Sequence, residues 1–461
     1  MTAEDDLVAQ LRDLVRRLNE MPDDREPTLT ELGLRVQQHL GSDPSALPVT
    51  VENVSPHRLI DIDLALDDLG GDSATLLGIS GGTARHHEDF ASMLRSLHRG
   101  FTADAPVDYT SMADSPHTTR HVVALGLRLL HIDDHPIAVL QRAADRRFGR
   151  DTATLEVLAS TPATAAAFID RVRERANELS VVRGQVVTFG RNDYGHGVGS
   201  MTFLPRPEVS AASVVLPDGV LERVRDHVVG VAEHADELRA HGQHLKRGIL
   251  LYGPPGTGKT HTVRHLLHEM PHATAVLLQG GALGAIGEAA QLARALAPAI
   301  VVLEDVDLVA SERGMFGLQP LLFEVLDALD GLDGDADVAF VMTTNRADVL
   351  EPALAARPGR IDLALEIPLP GAEARRALFH LYAKGLRLSR AALDAAAADA
   401  DGTTASFAKE LIRRAVLRAT LNRREADDED LRTAFTELRE STEGISRVLF
   451  GGADAAGVPQ P

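Results

Sequence analysis

A glycine-rich segment that contains one lysine is the strongest chemical signal in the sequence. An apolar run ending at Tyr252 leads into GPPGTGKT, and a helical pattern begins near Lys259. Glycines let consecutive backbone N–H groups turn toward one anion, and a helix start adds partial positive charge. This order of strand, loop and helix predicts a phosphate-binding loop. The residues expected to contact a nucleotide are Gly253, Pro254, Pro255, Gly256, Thr257, Gly258, Lys259, Thr260 and His261.

The lysine and the residue after it have separate expected tasks. Lys259 would reach the β- and γ-phosphate oxygens, and the Thr260 hydroxyl would take a place on Mg²⁺. Only four lysines occur in the chain, so a chance match to this pattern is expected on the order of a few times per thousand such chains. The pattern therefore predicts binding of ATP with Mg²⁺.

Polar residues end the next two long apolar runs. AIVVLEDVDLV ends in Glu304 and Asp305, and VAFVMTTN ends in Asn345. The carboxyl ends of parallel strands meet at the edge of a sheet where ligands bind. Glu304 and Asp305 are therefore the candidates for holding the metal and activating water, and Asn345 for holding the attacking water.

The elements that position these residues follow from hydrophobic periodicity. Residues 1–190 predict an α+β N-terminal domain, with a strand in RLIDIDLALDDL, a hairpin over 122–141 and a helix from Thr161 and Pro162. Residues 191–212 are rich in Gly and Pro and predict a linker. Strands alternate with helices over 213–370, a helical domain follows over 371–447, and 448–461 are expected to be disordered.

Composition excludes several classes of function. The formal charge is −20, from 47 basic and 67 acidic residues, which disfavours nucleic acid as a partner. The chain has no cysteine, so it forms no disulfide and no thiolate metal site. No apolar stretch reaches the length of a membrane span, and the acidic start is unlike a signal peptide, so a cytoplasmic location is expected.

Two groups of histidines suggest a bound structural metal, but the pattern is weaker evidence than the phosphate loop. His261, His265 and His268 share one helical face, and His86 and His87 are adjacent. The first three follow the phosphate loop on a helix expected to pack on the sheet. They lack the carboxylate of an H-E-x-x-H pattern. We therefore expect no structural metal there.

Taken in order, GPPGTGKT, LEDVD, TTNRADVLEPALAARPGR and a helical tail resemble the AAA clade of AAA+ ATPases over roughly residues 210–445. The resemblance implies a parallel-sheet ATPase domain with a small helical lid and a homohexameric ring that acts on a protein. It also implies that Arg357 and Arg360 reach the nucleotide of a neighbouring subunit. The segment from Leu329 to Leu332 would relay nucleotide state between subunits. The N-terminal domain resembles those of uncharacterised bacterial AAA proteins.

The chain departs from the family pattern at three places. Most members read Asp-Glu where this chain has Glu304 and Asp305, so Asp305 would be the water-activating base, one methylene short. The mitochondrial AAA translocase of the Rieske protein is similar at this point. Threading members place an aromatic, an aliphatic and a glycine residue in the first pore loop, whereas this chain has Ala285, Ile286 and Gly287 there, so the gripping aromatic is missing. Met315 and Phe316 could supply apolar bulk to a second pore loop. Tyr382 replaces a histidine near the adenine.

Two functions follow as expectations. The first is an ATP-hydrolysing, chaperone-like ring that remodels a protein substrate. The alternative is an ATP-regulated assembly factor or scaffold without processive threading, which the missing aromatic residue and the Glu-Asp order favour. A DNA loader is disfavoured by the negative charge.

Overall fold

A computed structural model describes residues 28–95, 100–190, 200–307, 336–346 and 361–450. The chain divides into two compact units. The first comprises residues up to Asp114 together with Thr118–Ser180, and the second comprises Ser115–His117 together with residues from Val181 onward.

The first unit is built on an antiparallel sheet. The spatial order of its strands is β1-β6-β5-β4-β2, and β3 also pairs with β4. The strands are β1 (Val49–Val54), β2 (Thr75–Leu77), β3 (Asp108–Ala113), β4 (Thr119–Ile132), β5 (His135–Arg142) and β6 (Ala153–Leu158). The helices are α1 (Glu31–Leu40), α2 (Leu59–Gly70), α3 (Phe90–Leu94) and α4 (Pro162–Glu178).

The hairpin and the last helix of this unit agree with the sequence predictions. Asp133 and Asp134 join β4 to β5 with φ angles of 47° and 65°, the backbone of a two-residue hairpin turn that Asp tolerates. Thr161 caps α4 by accepting a hydrogen bond from the backbone of Thr164.

The predicted strand in RLIDIDLALDDL is wrong, because this segment is helix α2. Two of its acids are buried, which made a helix with polar residues on its inner face look like an alternating strand. Asp61 pairs with Arg58 at 2.6 Å, and Asp63 pairs with Arg128 at 2.7 Å. Buried carboxylates of this kind are stable only with such partners.

The second unit contains a largely parallel sheet. Its spatial order is β13-β9-β12-β11-β10-β7-β8, with only β8 antiparallel among the pairs described. The strands are β7 (Val186–Phe189), β8 (Met201–Leu204), β9 (Arg247–Tyr252), β10 (Thr274–Gln279), β11 (Ala299–Glu304), β12 (Val338–Thr344) and β13 (Leu363–Glu366). The central strands β9, β11 and β12 are almost wholly buried, as parallel strands covered on both faces must be.

Helices accompany this sheet and follow it. Those before β13 are α5 (Val220–Arg225), α6 (Val231–Glu233), α7 (Ala235–Ala240), α8 (Lys259–Glu269) and α9 (Ile286–Ala295). A π-helical turn, Asp226–Gly230, lies between α5 and α6. The helices after β13 are α10 (Ala372–Tyr382), α11 (Arg390–Asp399), α12 (Ala405–Leu421) and α13 (Asp428–Phe450). This last group shares its own apolar core around Phe379 and Leu411, and we call these four helices the lid.

The predicted boundary near residue 190 differs from the structure. Strand β7, which the sequence placed in the N-terminal domain, pairs in parallel with β10, and β8 covers β7. Part of the predicted linker is therefore the edge of the second sheet. Arg206 fixes the chain after β8 by donating to four backbone carbonyls, at 2.7 to 3.1 Å, those of Gly184, Leu267, Met270 and Ala273. A short edge strand carries no periodicity that tells which sheet it joins.

Candidate nucleotide site

The glycine-rich loop lies between β9 and α8 with the backbone that the sequence predicts. Gly253, Gly256 and Gly258 have φ angles of 142°, 75° and 116°, which side chains other than glycine rarely adopt. A Cβ atom on Gly253 would also lie 2.2 Å from the carbonyl oxygen of Ile367. The backbone conformation therefore favours glycine at all three positions, and at Gly253 the available space requires it as well.

Lys259 opens helix α8 and turns its amine back toward the loop. Its Nζ donates to the carbonyls of Gly253 and Pro254, both at 2.8 Å. The Thr257 hydroxyl donates to the same Pro254 carbonyl at 2.9 Å. Burial lowers the pKa of Lys259, while the charges of Asp305 and Asp307 raise it. The Lys259 ammonium group thus lies beside two carbonyl groups of the loop and within the electrostatic influence of Asp305 and Asp307.

Glu304 and Thr260 lie together, as the sequence predicts for the metal side of the site. Glu304 is the buried last residue of β11. Burial raises the pKa of Glu304, and a hydrogen bond with the Thr260 side chain lowers it. Gln279, which pairs with Glu304 across β10 and β11, donates its amide to the Glu304 carboxylate. An oxygen pair from a hydroxyl and a carboxylate suits Mg²⁺.

Asp305 and Asn345 come together at the adjacent strand ends. The Asn345 amide donates to Asp305 Oδ1 at 3.2 Å. The Asp305 backbone has a φ of 49°, and its N–H donates to the Thr343 hydroxyl at 3.0 Å. A left-handed aspartate at a strand end redirects its carboxylate relative to an extended residue. The backbone conformation of Asp305 therefore determines where its carboxylate points.

Asp307 is a residue of the site that sequence reasoning missed. Its Oδ1 accepts from the Thr344 hydroxyl at 2.9 Å and from the Asn345 backbone N–H at 3.0 Å. Asp307 thereby fixes Asn345 beside Asp305. The sequence signal for Asp307 was its position two residues after Asp305. From that position its carboxylate can turn back to the end of the neighbouring strand β12.

His261 and Tyr382 lie on the lid side of the loop. His261 Nε2 is 3.0 Å from the carbonyl of Ser213, so the ring donates from this nitrogen, and burial lowers its pKa. Tyr382 ends α10 and packs against the lid core with Val215. These contacts place His261 and Tyr382 beside Ser213 and Val215, which precede helix α5.

Several predicted residues lie outside the described parts of the chain. They are Arg357, Arg360, Met315, Phe316 and the segment from Leu329 to Leu332. Within the described parts, no group of three or more histidines and acids is arranged for a metal ion. His265 instead bonds the carbonyl of Val209 at 2.9 Å.

The candidate site lies within a part of the chain that matches a known protein family. Residues 249–369 match the model of the ATPase family associated with various cellular activities, AAA. These residues form an AAA ATPase domain. The match begins in β9 and includes the phosphate loop, Glu304, Asp305 and Asn345.

The AAA domain has relatives among proteasomal ATPases. The chain is 31% identical over 262 residues to a proteasome-activating nucleotidase of Thermococcus onnurineus, covering 53% of this chain and 65% of that protein. It is 33% identical over 186 residues to a 26S proteasome regulatory subunit 8 homolog of Schizosaccharomyces pombe, covering 37% and 46%. The chain thus spans less than two thirds of either relative. No helix in the described ranges is long and apolar enough to cross a membrane.

Proposed function

We propose that this chain hydrolyses ATP and uses the energy to remodel a protein. The observation that carries the proposal is the convergence of Lys259, Thr260, Glu304, Asp305 and Asn345 at one edge of the parallel sheet. The names of the proteasomal relatives add a protein-directed role to this chemistry.

Each side chain has a defined task in this proposal. The loop N–H groups and Lys259 bind the phosphates, and Thr260 with Glu304 would hold Mg²⁺, which supplies positive charge at the phosphate oxygens. The Asp305 carboxylate accepts the proton of the attacking water, and Asn345 orients that water. The acids stand in the order Glu304 and then Asp305. Here the left-handed backbone of Asp305 aims the shorter acid.

The ring is a further part of the proposal. Arg357 and Arg360 follow from the family resemblance and would complete the site of a neighbouring copy, probing the nucleotide as arginine fingers do. We therefore expect a homohexamer in the presence of ATP. Equal-ratio mixing tests this expectation. Subunits with Arg357→Ala/Arg360→Ala and subunits with Lys259→Met should each have strongly reduced ATPase activity alone. Mixed together they should regain activity, because each supplies what the other lacks. A monomeric mass with full activity would refute it.

A second candidate function is ATP-driven assembly without threading, and one observation favours it. The segment that corresponds to the gripping loop of threading members is folded into the body of the domain: Ala285 and Ile286 are 6% and 2% exposed. They belong to the same apolar cluster as Val187, Phe189 and Phe203 of β7 and β8. Strands β7 and β8 therefore belong to the core that buries Ala285 and Ile286. These two side chains are not exposed to contact a substrate polypeptide.

An unfolding assay separates the two functions. The probe is green fluorescent protein with an unstructured tail, mixed with the full chain and ATP, with Asp305→Asn as the inactive control. Threading predicts an ATP-dependent loss of fluorescence. The second function predicts ATP hydrolysis with fluorescence retained.

A further inference from the structure

The first turn of lid helix α12 lies against the phosphate loop. The Ser406 backbone N–H donates to the carbonyl of Gly256 at 3.1 Å, and the Ser406 hydroxyl is 3.3 Å from the same oxygen. Gly256 is the central glycine of GPPGTGKT, separated from Ser406 by 150 residues of sequence. One loop carbonyl is thus held by two donors from the lid.

The packing at this contact is close. A Cβ atom on Gly256 would lie 2.8 Å from Ser406 Oγ and 3.2 Å from Thr404 Oγ1. Thr404 uses its hydroxyl as the cap of α12, accepting from the Phe407 N–H at 3.2 Å. Ser406 is therefore the side chain of this turn that is directed to the loop.

The rigid peptide plane gives this contact a consequence for the loop. In a trans peptide the carbonyl of Gly256 and the N–H of Thr257 point in opposite directions. When Ser406 holds the carbonyl toward the lid, the Thr257 N–H is turned away from the lid, into the cradle formed by the loop. A phosphate bound there needs that N–H.

We propose that Ser406 is a positioning residue that orients the Gly256–Thr257 peptide and couples the lid to phosphate binding. The inference rests on the proposed ATP binding. Ligand in the loop favours the peptide orientation that Ser406 holds, so by linkage a bound phosphate stabilises the docked lid, and a docked lid strengthens phosphate binding.

Ser406→Ala tests the side chain, because it removes the hydroxyl and keeps the backbone donor. A neutral hydrogen bond of this kind corresponds to a three- to tenfold loss of ATP affinity. Ser406→Thr, which keeps the hydroxyl, should restore affinity to within twofold. The matched control is Thr420→Ala, which removes a hydroxyl that bonds the Val416 carbonyl at 2.8 Å near the other end of the same helix. It should leave affinity unchanged.

Amide hydrogen exchange distinguishes this role from a general effect of Ser406 on the stability of helix α12. In the wild-type chain, adding ATP should slow exchange at residues 256–258 and at 405–408 together. In Ser406→Ala, which keeps the backbone bond from residue 406 to Gly256, the slowing at 405–408 should be smaller than in the wild type, while that at 256–258 persists at saturating ATP. Equal slowing in both proteins, or an equal loss in Thr420→Ala, would overturn the proposal. Failure of the wild type to bind ATP would instead overturn the proposed function.

Discussion

Replacing Asp305 by asparagine isolates the proton-accepting role of this side chain. Asparagine has the same size, tolerates the left-handed backbone that Asp305 adopts at φ 49°, and keeps an oxygen that can accept from Asn345. The substitution therefore removes basicity and little else. ATP affinity should change by less than threefold.

The expected loss in turnover follows from general-base catalysis. A positioned base contributes about 10²- to 10⁴-fold, which corresponds to about 3 to 5 kcal/mol of activation free energy. The same loss should not occur in Asp307→Asn, the matched control two residues away. There the amide oxygen can still accept from Thr344 and Asn345, so kcat should stay within tenfold of wild type.

The assay measures phosphate release at saturating ATP and nucleotide affinity by calorimetry on the same preparations. A kcat of Asp305→Asn within tenfold of wild type would show that the base is elsewhere. An equal loss in Asp307→Asn would show that the loop geometry, not the basicity of Asp305, is responsible.

The reciprocal exchange Glu304→Asp/Asp305→Glu is a second arm of this experiment. Restoring the usual order moves the base by about 1 Å, which can be worth ~10²-fold. A longer side chain at a left-handed position costs on the order of 1 kcal/mol, because only Asn, Asp and Gly visit it readily. The double variant should therefore turn over about tenfold faster than wild type, provided that the short acid limits the reaction. Slower turnover would indicate that the left-handed backbone already compensates.

Two further predictions concern binding and stability. Lys259→Met should weaken ATP binding by about 10- to 100-fold, since it removes a charged donor but keeps the buried stem, and unchanged calorimetric affinity would refute the loop assignment. Burial, aided by the charge of Arg58, lowers the pKa of His57 to about 4. The unfolded chain takes up this proton near pH 6.5, so the free energy of unfolding should fall between pH 6.5 and pH 4, by at most about 3 kcal/mol. His57→Gln should flatten that part of a urea-unfolding pH series, and an unchanged slope would contradict the burial argument.

The elements that carry the central site could be predicted from the sequence because their motifs are local. GPPGTGKT defines a strand, loop and helix within one stretch, and the acids at Glu304 and Asp305 end a strand that is apolar throughout. The resulting predictions for β9, α8, β11 and β12 agree with the structure. The left-handed backbone of Asp305 was not predictable, because Asp is compatible with several conformations at a strand end.

Other features of the fold depend on contacts between residues far apart in the chain, which cannot be inferred from a single sequence. Helix α2 looked like a strand because Asp61 and Asp63 are buried, where Ser180 donates to Asp61 and Arg128 pairs with Asp63 from distant parts of the sequence. Ser406 gave no signal, since its bond to Gly256 joins residues far apart in sequence. The placement of β7 depended on the register between Val186 and Ala275, which hydrophobic pattern alone does not determine.

The strands β7 and β8 also protect the edge of the nucleotide-binding sheet. An ATPase fragment that began at residue 213, where the sequence suggests a boundary, would lack both strands. It would expose the unpaired backbone of β10 together with Val276 and Leu278, which are fully buried in the whole chain. Such an apolar edge is a template for intermolecular pairing. A fragment that retains β7 and β8, and so keeps the edge of β10 paired, therefore has to begin near Val181.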